Sequence, residues 1–152
     1  MDKRNTEIRK RNNLRELLGN VPGLKPYEHI ISELFDEFYS KDAVIRIEPL
    51  LSSSRLKQTP HNALARNFEL IIGTKDRDPK EILWSIFHEY GHLQQDRPTL
   101  EESKDGTVAK YRREVDAWEI GQIRLLRFEE LKSCLDNFQV YKLSRQSSYK
   151  IT

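Results

Sequence analysis

His88-Glu89-Tyr90-Gly91-His92, inside "EILWSIFHEYGHLQQD", combines two imidazoles and a carboxylate at a spacing suited to metal-assisted hydrolysis. On a helix, residues four apart are separated by about 400° of rotation and about 6 Å of rise, so His88 and His92 project side by side and can offer two nitrogens to one tetrahedral ion. Glu89 is turned by about 100° from His88. That places it beside the ion without coordinating it, where it can hold a water and accept its proton. The metal is needed because neutral water is a poor nucleophile, and zinc brings its pKa down to about 7. Glu89 then completes the deprotonation and returns the proton to a leaving amine.

A catalytic zinc site needs a third protein ligand and an open fourth position. Position 95 is Gln and position 98 is Pro, which excludes the metzincin pattern. Downstream carboxylates are Asp96, Glu101, Glu102, Asp105, Glu114, Asp116 and Glu119. Most fall in a polar stretch, where a solvated carboxylate is the ordinary reading. Glu114 shares a helical face with Tyr111, Val115, Ala117, Trp118 and Gly121, and so is a carboxylate set into a largely apolar stripe. Ala117 and Gly121 are small enough to let this helix approach the motif helix, with Gly91 offering matching room. Asp116 is rotated to another face. It is the candidate partner that orients a histidine, or the alternative ligand; helix geometry favours Glu114 as the ligand. Donors for an oxyanion are Tyr111, Tyr90, His61 and Arg112, with Tyr111 the one carried forward.

These groups must be positioned by the rest of the chain. The motif helix is well signposted: Asp78 can cap it, Pro79 suits its first position, and Glu81 follows the cap by three residues. It should run to about Gln95. Ile82, Leu83, Ile86, Phe87 and Leu93 surround the motif, so the helix is expected to be central, and burying three ionisable groups there is costly unless something compensates them. Upstream, residues 1–19 form a basic helix with an apolar edge at Leu14, Leu17 and Leu18; "GNVPGLKP" breaks it, so residues 1–24 form a basic N-terminal helix and its break. Ile30, Ile31, Leu34, Phe35 and Phe38 then recur at helical period up to about Ser40. Val44 to Glu48 and Leu64 to Ile72 read as strands. The "SSSRLKQTPHN" segment between them is either a loop or a third, short strand. "NFELIIGTKD" is either an interior strand or a strand edge that could pair with an extended peptide. A long helical pattern runs from about Ala109 to Asn137 with room for one break, and residues 139–152 suggest a basic, flexible tail. The order predicts an α+β fold, with a small β-sheet beside the HExxH helix and a downstream glutamate-bearing helix, as one domain over 1–152.

The chain's 152 residues suit a single domain. Charged residues make up 33% with a net charge of only +2, which gives no general argument for nucleic acid or membrane partners. No apolar run approaches the roughly 18 residues that span a bilayer, and "MDKRNTEIRKRNNL" lacks the apolar centre of a signal peptide. With a single cysteine, Cys134, the expectation is a cytoplasmic protein.

"HEYGH", followed after a polar loop by "REVDAWEIG", resembles the ImmA/IrrE-type metallopeptidases, which pair an HExxH helix with a downstream helix carrying an E-x-E-A pattern. The resemblance covers residues 79–121. It implies a compact zincin-like domain with His88 and His92 as zinc ligands, Glu89 as the catalytic glutamate and Glu114 as the third ligand. Asp116 stands where the family more often has a second Glu, and Trp118 where Asn or Asp is frequent. Members are often encoded by mobile elements and phages, and the best understood act on repressors or regulators containing a helix-turn-helix, which makes such a protein the implied partner.

Three function classes follow. The preferred one is a zinc endopeptidase of narrow specificity acting on a protein or peptide. The second is a protein-interaction module on the same fold with a structural or vestigial metal site. The third is a nucleic-acid binder using "KRNTEIRKR" and the basic tail, which would bind in a strongly salt-dependent way. The basic runs lack interleaved aromatics and a reading helix, which favours a solvated terminus instead.

Overall fold

The computed structural model describes residues 3–58, 68–149 and 151. Among these, the fold is α+β, with five α-helices and a three-stranded mixed sheet. The chain divides into two compact units, Met1–Ile86 and Phe87–Thr152, where the sequence suggests a single domain. The boundary falls inside the motif helix, α3 (Pro79–Gln94).

In the first unit, α1 (Lys3–Asn20) turns its Leu14 and Leu17 edge inward, and Pro22–Tyr27 forms a single 3-10 segment where the prolines and glycines interrupt the helix. Helix α2 (Glu28–Ser40) buries Ile30, Ile31, Leu34, Phe35 and Phe38, the residues its period selects. Strand β1 (Ala43–Glu48) alternates, with Ala43, Ile45 and Ile47 inward and Val44 exposed. Strand β2 (Arg55–Gln58) is the short strand left open by the sequence.

Strand β3 (Phe68–Gly73) lies at the centre of the order β1-β3-β2. It pairs parallel with β1 from Ala43↔Phe68 to Glu48↔Gly73 and antiparallel with β2 from Arg55↔Ile71 to Gln58↔Phe68. Both its edges are therefore occupied, which decides for the interior strand between the two readings of this stretch. Its run of buried Leu70, Ile71 and Ile72 fits a strand covered on both faces, which does not alternate. The expected strand residues 64–67 and His61 lie outside the described residues.

The start of α3 is as its sequence signals: the Asp78 side chain accepts from the Lys80 backbone N–H at 2.9 Å. Ile82, Leu83, Ile86 and Phe87 are fully buried and Leu93 nearly so.

In the second unit, α4 (Val108–Leu125) begins at Thr107, whose hydroxyl accepts from Lys110 N–H at 3.1 Å. A 3-10 turn over Glu129–Cys134 leads into α5 (Leu135–Ser147). The C-terminal residues are thus helical as far as Ser147 rather than a flexible tail from 139. Phe138 and Tyr141 hold α5 by meeting the buried Trp118 ring edge-on at 5.7 and 5.8 Å. Among the described residues, no helix is long and apolar enough to cross a membrane.

Candidate metal centre

The C-terminal part of α3 and the middle of α4 touch backbone to backbone. A methyl added at Gly91 would lie 1.9 Å from the carbonyl oxygen of Ala117, and one at Gly121 would lie 2.5 Å from that of Phe87. This contact sets what the neighbouring side chains can reach. His88 and His92 leave α3 on one face, and Glu114 leaves α4 toward them.

His88 Nε2 and His92 Nε2 each lie 3.0 Å from the same oxygen, Glu114 Oε2. Glu89 lies beside them, its Oε1 3.6 Å from His88 Nδ1. His88, Glu89 and His92 each present a ligand atom within 4.8 Å of the others. The four side chains are only 10, 6, 12 and 14% exposed for His88, Glu89, His92 and Glu114, so water cannot solvate them fully. Burial alone would raise the Glu114 carboxyl, but the two imidazoles facing it outweigh that effect and hold it well below the usual carboxylate range. For His92, burial lowers the pKa, and the hydrogen bond with Glu114 and the charge of Glu89 more than reverse this, leaving it raised.

The donor set fits a zinc-type ion. Ligands on a tetrahedral ion with N and O bonds near 2.1 Å are separated by about 3.4 Å, a small opening from the 3.0 Å between each histidine Nε2 and Glu114 Oε2. His88 Nε2 is buried and faces Glu114 Oε2 at 3.0 Å without the geometry of a hydrogen bond, so this nitrogen is not committed to a hydrogen-bond partner among the described residues. His92 is oriented by Gln95. The Gln95 amide nitrogen donates to the Arg113 carbonyl at 2.8 Å, which turns its oxygen toward His92 Nδ1, also at 2.8 Å. That oxygen can only accept, so Nδ1 carries a proton and Nε2 is the nitrogen left for a metal. His88 is held differently: its ring stacks on Trp118 with centroids 4.1 Å apart and planes 7° from parallel.

The structure therefore brings His88, Glu89, His92 and Glu114 together and leaves Asp116 out. Asp116 is exposed on α4, and the orienting role considered for it belongs to Gln95, because a helical position two residues from Glu114 points away from α3. The other downstream carboxylates are engaged elsewhere or face solvent. Glu102 bonds the Thr99 backbone at 2.9 Å, Asp105 pairs with Lys110, and Glu119 is exposed. Tyr111 lines a cleft of about 380 Å³ together with Lys110, Glu114, Ser148 and Tyr149. Tyr90 is buried and Arg112 is exposed.

Tyr149 was absent from the sequence-derived site, yet its hydroxyl donates to Glu114 Oε2 at 3.0 Å. Nothing in a local pattern could have indicated a residue 35 positions from Glu114. Gln95 and Trp118 are different: they stand three residues after His92 and four after Glu114, spacings that mark neighbours on a helix face.

No family model, curated protein or solved structure matches this chain in comparisons with known proteins.

Proposed function

We propose that this protein is a zinc-dependent endopeptidase of narrow specificity, a zincin similar to the ImmA/IrrE-type metallopeptidases. The observation that carries this reading is the convergence of two histidine Nε2 atoms on one buried Glu114 oxygen, with the Glu89 carboxylate alongside. His88, His92 and Glu114 would hold the ion. Zinc bound there supplies Lewis acidity that makes water nucleophilic near neutral pH and polarises a peptide carbonyl.

Glu89 has the position of the general base. It orients the attacking water, takes its proton and passes that proton to the leaving amine. A peptide segment would enter by the cleft beside Glu114, with Tyr111 on its wall as the candidate donor to the oxyanion. Gln95 and Trp118 keep the imidazoles in place during this cycle. The substrate class is a protein or peptide, and the resemblance to ImmA/IrrE enzymes points to a regulator with a helix-turn-helix. The single cysteine suits work in the cytoplasm.

The test is metal stoichiometry and peptidase activity of the untagged protein beside four variants. His88→Ala and Glu114→Ala should each lose the ion, and Asp116→Ala should keep it. Glu89→Gln should retain one zinc per chain while activity falls by at least about 100-fold, the usual scale for a general base. Retained function in Glu89→Gln would point to the interaction module instead, and failure of the wild-type protein to bind any divalent metal at neutral pH would sink the peptidase reading.

A further inference from the structure

The metal centre is built on α3 and α4, but its carboxylate has a partner from a third segment. Tyr149 follows the end of α5, its backbone N–H bonding the Gln146 carbonyl at 3.2 Å. Helix α5 is tied to α4 by the Trp118 contacts with Phe138 and Tyr141 and by Lys142 Nζ donating to Gln122 Oε1 at 3.1 Å. The Tyr149 ring meets Tyr111 edge-on, with centroids 6.4 Å apart, and its hydroxyl reaches Glu114 Oε2, the same oxygen that faces both histidines.

We infer that Tyr149 is a positioning residue for the metal: its hydroxyl fixes the Glu114 carboxylate so that Oε2 faces the two imidazole nitrogens. The inference rests on the metal reading above. A carboxylate on a glutamate stem can rotate, or can offer both oxygens to an ion, and each oxygen has two lone-pair sites. When an ion is bound through the histidine Nε2 atoms, His92 Nε2 is no longer available to hydrogen-bond Glu114. The Tyr149 hydroxyl can still donate, so it favours one carboxylate orientation over the others. Such outer partners commonly contribute a factor of about 10 to 100 in metal affinity. Because the hydroxyl comes from the segment after α5, the quality of the site depends on that segment being docked.

The experiment compares wild type with Tyr149→Phe, which removes one oxygen and keeps the ring against Tyr111. Zinc affinity is measured by competition with a chromophoric chelator, and the coordination is read from the visible spectrum of the cobalt(II)-loaded protein. Far-UV circular dichroism checks that the fold is retained. The expected result is one metal per chain in both proteins, zinc affinity about 10- to 100-fold lower in the variant, and an altered cobalt spectrum. A merely structural role would leave that spectrum unchanged. Equal affinity with superimposable cobalt spectra would overturn the inference and leave the metal centre standing, whereas a wild-type protein that binds neither ion would overturn both.

Discussion

At the residue scale, the part of the centre carried by α3 follows from helical period alone. His88 and His92 stand one above the other, and Glu89 flanks them. Gln95 extends that pattern by three residues, and its amide is held from both ends, by the Arg113 carbonyl and by His92 Nδ1. Replacing it with Leu preserves bulk and removes both bonds, so the His92 ring loses the partner that sets its tautomer. Gln95→Leu is expected to weaken zinc binding by about 10- to 100-fold in isothermal titration. Affinity within twofold of wild type would show that His92 needs no such partner. Glu114 was legible as a carboxylate in an apolar stripe, but its preference over Asp116 was only geometric. The distances to His88 and His92 and the exposure of Asp116 now separate them.

At the scale of elements, the contact between α3 and α4 depends on missing side chains. Gly91 and Gly121 each face a carbonyl of the other helix, so any side chain there must push backbone rather than a yielding side chain. Gly91→Ala is expected to cost about 3 kcal/mol of stability, the upper part of the range for overpacking, and to weaken metal binding because His92 is the next residue. Gly19→Ala makes the contrast. An added methyl at Gly19 meets nothing within 4 Å, and a helical Gly→Ala change there should add about 0.5 to 1 kcal/mol. Urea unfolding midpoints measure both, and a Gly91→Ala protein as stable as wild type would mean the helices can separate freely. Other element-level signals were legible for local reasons, as with the Asp78 cap and the α2 stripe. The place of β3 was not, because a run of apolar residues is compatible with an edge or an interior position until its partners are known.

For the whole molecule, the four residues of the candidate metal centre and the three that hold them, Gln95, Trp118 and Tyr149, belong to the unit Phe87–Thr152. A ligand that binds only the folded state stabilises what it must find folded, by about 2.7 kcal/mol at 100 times its Kd. Zinc should therefore slow amide exchange through sub-global opening first around residues 87–96, 108–125 and 149. Hydrogen exchange with and without zinc checks this. A slowing confined to residues 3–58 would contradict a centre built in the second unit.

The sequence by itself determined what is periodic or capped: the amphipathic helices, the alternation of β1, the start of α3, the paired histidines with their glutamate, and the small residues that let α4 approach. These depend on neighbours a few positions apart, where backbone geometry fixes direction. Only the tertiary structure decided which edge of β3 is paired, that the chain has two compact units, that residues 139–147 continue as helix, and that Tyr149 reaches Glu114. Those relations join residues far apart in the chain, and no local rule specifies them. They are set by which apolar surfaces bury each other, as when Phe138 and Tyr141 close on Trp118 and bring the segment after α5 to Glu114.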